Sequence, residues 1–296
     1  MKKTLFTGAG VAIVTPFNTD GSVNFTALGN MLEYQIANDT DAIIICGTTG
    51  EASTLTDDEQ IDVIEYTVKK VDKRIPVIAG AGSNDTAHGI NLCKRCEQVG
   101  ADGLLMVTPY YNKTTQKGLI KYYTDIANAV DLPIIMYSVA GRTGLNIAPK
   151  TVEILAEIDN IVAIKEASGN ISQVADIAAR CGDKLDIYSG NDDQIVPLLS
   201  LGGKGVISVL SNIAPKYTHD MVASYLNGDT AKATKMQLDC IDLVHNLFSE
   251  VNPIPVKAAL NMMGMEAGGY RAPLIEMEEE NRVKLEKSMR AFGLIK

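Results

Sequence analysis

Short apolar runs of β type recur eight times along this 296-residue chain, and longer amphipathic stretches separate them. Such alternation is the pattern of successive βα units around a parallel sheet. The runs fall at 11–14, 42–45, 76–79, 103–107, 133–137, 161–164, 185–188 and 205–209. Between them, 57–71 opens on a run of acids and 86–99 repeats apolar positions at three and four, so both are expected to be helices. Eight units over about 225 residues predict the α/β class with a (β/α)8 barrel. A doubly wound dinucleotide fold requires a third glycine in its first turn, but Ile13 and Asp85 stand there after Gly8-Ala9-Gly10 and Gly80-Ala81-Gly82. Nor is Gly203-Lys204-Gly205 a phosphate loop, since no Ser or Thr follows the lysine. Beyond about residue 226 the strand signals stop, and 230–250, 256–263 and 276–292 read as helices. The expected organisation is a barrel over 1–226 and a C-terminal helical appendage over 227–296. Asn252-Pro253-Ile254-Pro255 removes two backbone donors and is expected to set the direction of the helix that follows.

A hydrophobic content of 46% is enough for a large core, and a net charge of −9 argues against coating nucleic acid or an anionic membrane. The five cysteines are odd in number and scattered, which points to reduced thiols and a cytoplasmic protein. Cys93 and Cys96 make one C-x-x-C pair inside a helix-like stretch, with no second pair to complete a zinc set. None of His88, His219 and His245 falls in a metalloprotease-type motif, so no metal is expected. Residues 1–15 do not read as a secretory signal, and no apolar run reaches the ~20 residues that span a bilayer.

In a barrel the loops after the strands share one face and hence one pocket, so the chemistry is sought there. Lys165 closes the run 161–164 and precedes Glu166-Ala167-Ser168-Gly169. Burial disfavours an ammonium relative to the free amine, the form that attacks a carbonyl and makes an imine. A lysine at a strand end also extends its amine to water along an apolar stem, and position alone leaves both readings open. After the second strand comes Gly47-Thr48-Thr49-Gly50-Glu51, whose backbone N–H groups suit a carboxylate but whose composition also describes an ordinary turn. The fourth strand leads into Thr108-Pro109-Tyr110-Tyr111-Asn112. The fifth ends in Tyr137, with Arg142 a few residues on among glycines, a carboxylate clamp or a surface arginine. Taken together, an amine, phenols, hydroxyls and one arginine on a single rim suit imine chemistry on an anionic keto acid.

These motifs, with Arg142-Thr143-Gly144, Ile164-Lys165-Glu166-Ala167 and Asn252-Pro253-Ile254-Pro255-Val256-Lys257, resemble the dihydrodipicolinate synthase family over essentially the whole chain. The resemblance implies a class I lysine-imine aldolase on a (β/α)8 barrel, a homotetramer of tight dimers without metal or organic cofactor. It implies that Lys165 condenses with pyruvate, with Tyr137 as proton donor and acceptor, and that the second substrate is aspartate semialdehyde. Thr48 would link Tyr137 to a Tyr111 reaching across from the neighbouring subunit. Thr49 and its turn would hold the pyruvate carboxylate and Ile207 would add a backbone contact. Gly190 would complete the substrate pocket, and Arg142 would receive the carboxylate of the semialdehyde. The implied role is the first committed step of the diaminopimelate route to lysine.

Two departures from the family pattern stand out. Ser138 and Ala140 occupy places where an Asn and a Pro are common, which removes a restraint from the loop carrying Arg142. Positions that form a lysine-sensing cleft in feedback-sensitive members align with Asp57, Gln60 and His88, and weak or absent inhibition is expected. Two other readings stay open: a sister aldolase such as N-acetylneuraminate lyase or a keto-deoxy-sugar acid aldolase, and a non-catalytic barrel that senses a keto acid.

Overall fold

The computed structural model describes residues 2–296; Met1, with which the expected barrel segment begins, lies outside the described residues. Eight parallel strands close in chain order: β1 (Gly8–Ala12), β2 (Ala42–Ile45), β3 (Val77–Gly80), β4 (Gly103–Val107), β5 (Ile134–Ser138), β6 (Ile161–Glu166), β7 (Asp186–Ser189) and β8 (Gly205–Ser208). β8 pairs back onto β1, so the sheet has no free edge. Alternate residues divide into two apolar layers. Ala12, Ile44, Ile78, Leu105, Ile135, Tyr188 and Ile207 fill the interior, while Val11, Ile43, Ile45, Met106 and Ile164 face the surrounding helices. Burial on both faces is why the strands read as unbroken apolar runs. Phe6 and Tyr188 stack inside the barrel with ring centroids 4.4 Å apart, and the Tyr188 hydroxyl donates to the Phe6 carbonyl at 2.6 Å.

The first strand does not lie at 11–14 but starts three residues earlier. Gly8 and Gly10 resemble loop punctuation, yet a Cβ on Gly10 would stand 2.6 Å from Ile44 Cδ1 and 2.9 Å from Phe6 Cζ. The missing side chain is what makes room for the interior residues at that level. In β6 the register with β5 passes from Ile134↔Ile161 to Ile135↔Ala163, so Val162 is an extra residue, a β-bulge. Beyond the bulge, Ala163 and Lys165 share the inner face with Ile135 and Tyr137.

The helix Asp57–Val71 matches its expected span and starts on a capping box between Thr56 and Glu59. Thr86–Gln98 starts on Asp85, whose carboxylate accepts the Ala87 and His88 N–H groups. In the appendage, the single helix expected over 230–250 is two, Thr230–Asp239 and Ile241–Leu247, separated at Cys240. The break lets the first bury Gln237, which bonds the Val196 N–H and the Asp192 carbonyl, while the second buries Leu243, Val244 and Leu247. The next helix, Ile254–Met262, starts two residues before 256 with Pro255 in its first turn, where a missing N–H costs nothing. The last, Glu279–Phe292, starts three residues after 276. Among the described residues no helix is long and apolar enough to cross a membrane.

Replacing Gly10 by Val overpacks the interior against Ile44 and Phe6. A loss of about 1–3 kcal/mol is expected in urea unfolding of the Gly10→Val variant.

Candidate active site

Tyr137 and Lys165 are direct register partners near the carboxyl ends of β5 and β6. Lys165 is 6% exposed, and its Nζ lies 4.4 Å from the centroid of the Tyr137 ring. Gly190, after β7, sits against the lysine stem. A Cβ there would come within 3.1 Å of Lys165 Cε and 2.6 Å of Ala167 Cβ, so any side chain would crowd the amine out of place.

A cavity of about 200 Å³ opens over the amine, bounded by Thr48, Thr49, Tyr137, Arg142, Gly190 and Asn252 with apolar walls from Ala12, Ile44, Leu105 and Val209. It adjoins a larger space of about 390 Å³ between the loops after β2 to β5, and Thr48, Tyr137 and Arg142 line both. The turn after β2 closes on itself: Gly50 N–H donates to the Gly47 carbonyl and Glu51 N–H to the Thr48 carbonyl, both at 3.1 Å. The Thr48 and Thr49 N–H groups take no part in those two bonds. Arg142 is exposed in a short helix, Ala140–Thr143, and its Nη2 donates to the Asn252 carbonyl at 3.3 Å.

Six of the eight residues singled out from the sequence therefore line one cavity: Lys165, Tyr137, Thr48, Thr49, Arg142 and Gly190. Two do not. Tyr111 is 91% exposed at a φ of +69° and stands away from the pocket of its own chain, where its neighbour Tyr110 lines the larger space. Ile207 is fully buried in the barrel interior, and Val209 is the residue after β8 that reaches the cavity. The restraint expected to be missing near Ser138 is present in another form. Ser138 is fully buried and hydrogen-bonds Asn146 and the Ile147 N–H.

Four polar residues at or behind the site were not assigned from the sequence. Asn252 is 6% exposed and donates Nδ2 to Thr49 Oγ1 at 2.9 Å, while its Oδ1 has no partner among the described residues. Glu51 and Lys257 form an ion pair at 2.8 Å with no exposed side-chain surface to speak of, 1% and 0%. The Lys257 ammonium also donates to the Thr15 and Gly269 carbonyls and lies 4.3 Å from the Phe17 ring centroid. Burial pulls the Lys257 amine below its ordinary value, and the Glu51 charge opposes that. Asp192, after β7, accepts the Val209 and Leu210 N–H groups, so it holds the turn after β8. Burial pushes its carboxyl up, and these hydrogen bonds and the Lys165 charge offset part of the effect. The Asn252 to Lys257 motif was visible as a signal, but its partners lie about 200 residues away in sequence and nothing local names them.

The two helix cysteines, Cys93 and Cys96, are buried, and burial raises both thiols, that of Cys96 to about 12, which leaves neither a ready thiolate.

A closed (β/α)8 barrel with a buried amine, a phenol and an arginine around one carboxyl-end cavity defines a barrel enzyme with its chemistry on that rim. The model of the Dihydrodipicolinate synthetase family matches residues 5–292, and the chain belongs to that family. It is 58% identical, over the whole of both chains, to a 4-hydroxy-tetrahydrodipicolinate synthase of Acetivibrio thermocellus. Among solved structures, the chloride-inhibited dihydrodipicolinate synthase of Acinetobacter baumannii complexed with pyruvate is 43% identical, with a TM-score of 0.97 over 99% of this chain and 100% of that one. A monomeric dihydrodipicolinate synthase variant is 41% identical, with a TM-score of 0.96 over 98% of each.

Removing one partner of the buried pair leaves an uncompensated charge. The Lys257→Met variant is expected to lose about 3–5 kcal/mol in urea unfolding, and the Glu51→Gln/Lys257→Met double variant, which buries no lone charge, to lose less.

Proposed function

We infer that this enzyme is a lyase that condenses pyruvate with L-aspartate 4-semialdehyde through an imine on Lys165, giving the 4-hydroxy-tetrahydrodipicolinate for which its relatives are named. The observation that carries the reading is a buried amine 4.4 Å from a phenol ring, in a cavity whose other polar walls include the threonine turn, Asn252 and one arginine. Lys165 Nζ adds to the ketone carbon of pyruvate, water leaves, and the protonated imine becomes an electron sink. A methyl proton is then lost, and the enamine attacks the aldehyde of the second substrate. The α-amine that came with the semialdehyde, having lost a proton, then adds to the imine carbon and closes the ring, and the bond from that carbon to Nζ breaks to release Lys165. No organic cofactor or metal enters, because the imine itself supplies the sink.

The roles follow from the setting of each group. Tyr137 moves protons beside the amine. The turn of Thr48 and Thr49 holds the pyruvate carboxylate through its backbone N–H groups, and Asn252 orients the Thr49 hydroxyl. Asn252 Oδ1, a buried acceptor lacking a donor, suits the ammonium of the semialdehyde. Arg142, exposed on the rim, meets its carboxylate. Gly190 keeps the amine uncrowded. The outward Tyr111 suits a relay completed across a tight dimer, with Thr48 between it and Tyr137. The same reading includes a homotetramer of such dimers, a catalytic barrel over 1–226 completed by the helices of 227–296, and a cytoplasmic location in keeping with five free, buried cysteines.

The names of the relatives favour this condensation over the sugar-acid aldolases. Consumption of N-acetylneuraminate without turnover of aspartate semialdehyde would reverse that choice. Borohydride quenching in the presence of pyruvate is expected to leave a pyruvyl adduct on Lys165, seen by peptide mass spectrometry. Lys165→Ala is expected to lose ~10³-fold or more of the turnover while keeping its fold. An unmodified Lys165, or an active alanine variant, would sink the reading.

The expectation of weak lysine inhibition gains physical support from the larger cavity, which Asp57, Gln60 and His88 line. All three are already engaged: His88 Nε2 meets the Asp57 carboxylate at 3.0 Å, and Gln60 Nε2 donates to the Gly80 carbonyl at 2.7 Å. Calorimetric titration with lysine is expected to show binding no tighter than about 1 mM.

A further inference from the structure

On the outer wall of the barrel, behind Tyr137 and Lys165, a chain of polar side chains joins the same two strands. Successive strand residues point to opposite faces, so Ser138 and Glu166, themselves register partners, project away from the cavity. Both are buried, among helices rather than in water. Ser138 Oγ donates to Asn146 Oδ1 at 3.1 Å, and Asn146 Nδ2 donates to Gln173 Oε1 at 2.7 Å. Gln173 Nε2 donates back to Asn146 Oδ1 at 3.1 Å and onward to Glu166 Oε1 at 2.8 Å. The Glu166 carboxylate accepts the Ser168 N–H as well, at 3.2 Å.

The place of this chain in the barrel gives it a consequence beyond packing. Ser138 and Glu166 are the last register pair of the β5–β6 ladder, and past them the strands part into loops. Strand ends are freest to splay there. The loop that departs carries Arg142 and begins Val139-Ala140-Gly141, with no proline to stiffen it. Asn146 lies at the far end of that loop, and Gln173 stands in the first turn of the helix Ile171–Cys181, anchored by its N–H to the Asn170 cap. Hydrogen bonds among part-buried amides that share their donors and acceptors restrain one another, because each one polarises and orients the next.

We propose that Asn146 and Gln173 are positioning residues for the reaction: they clamp the ends of β5 and β6 together from outside and so hold the Tyr137 ring over the Lys165 amine. This rests on the reading of Lys165 and Tyr137 as the reacting pair. Neither positioning residue touches the cavity, so their loss should impair catalysis more than the binding of pyruvate.

The test uses the full chain with Asn146→Ala, with Gln173→Met, which keeps the volume but not the hydrogen bonds, and with both together. Each single variant is expected to lower kcat about ten-fold with the pyruvate KM within about two-fold of wild type. The rate at which borohydride captures the pyruvyl adduct on Lys165 should fall by the same factor. Since both changes break one chain, the double variant should be little worse than either single one. Wild-type kcat and capture rate in both single variants would overturn the proposal, as would a loss expressed only in KM, and if one variant does not fold the other decides. No adduct on Lys165 in the wild type sinks the assignment of the lysine and the clamp with it. An adduct that the variants form at the wild-type rate sinks the clamp alone.

Discussion

A charge pair shut off from water, Lys257 with Glu51, joins the C-terminal helices to the turn that carries Thr48 and Thr49. Taking both charges out of water is costly, and their attraction alone repays that cost poorly. Here the ammonium is also met by two carbonyls and the face of Phe17, so its remaining donors are satisfied. The result is directional. Glu51 holds the end of the turn in a left-handed conformation, φ +53°, and its second oxygen accepts the Arg271 N–H from the segment beyond the same helix. Ahead of the helix that carries Lys257, Asn252 reaches Thr49 with its side chain and Arg142 with its carbonyl. The threonine turn and the arginine of the rim are thus braced against the C-terminal segment as well as against the barrel.

The sheet itself supplies the other constraint. A strand has two faces, and near the carboxyl ends of β5 and β6 each does different work: the inner one presents Tyr137 and Lys165, the outer one presents Ser138 and Glu166. The bulge at Val162 sets which residue faces which way, because one residue more or less reverses every side chain beyond it. With the bulge, the lysine points into the cavity and its acidic neighbour into the wall. Burial pushes the Glu166 carboxyl up, and the hydrogen bonds from Ser168 and Gln173 offset part of that. The amine therefore stands in front of a wall held by hydrogen bonds, with Gly190 leaving space beside its stem.

Much of this was legible in the amino-acid order. Apolar runs at regular spacing announced eight strands, and position at a strand end announced Lys165, Tyr137 and the threonine turn as neighbours on one rim. Helix limits were readable where caps are local, as at Thr56 and Asp85. They were misread where tertiary packing broke a continuous amphipathic stretch at Cys240. The first strand was misplaced because Gly10 carries no local mark of being a strand residue; only Ile44 and Phe6, folded against it, make a side chain impossible there.

What the chain by itself determined is whatever depends on neighbours a few positions apart: strand and helix periodicity, caps, the residue that ends each strand and the chemistry of its side chain. Tertiary structure alone decided which of those residues meet. Lys257 and Glu51 are 206 positions apart, and no local preference of either selects the other. The outward Tyr111, the buried Ile207 and the Asn146–Gln173 bridge were likewise settled by closure of the barrel. Closure brings distant loops to one rim and, by excluding water, leaves most polar groups between them only each other as partners.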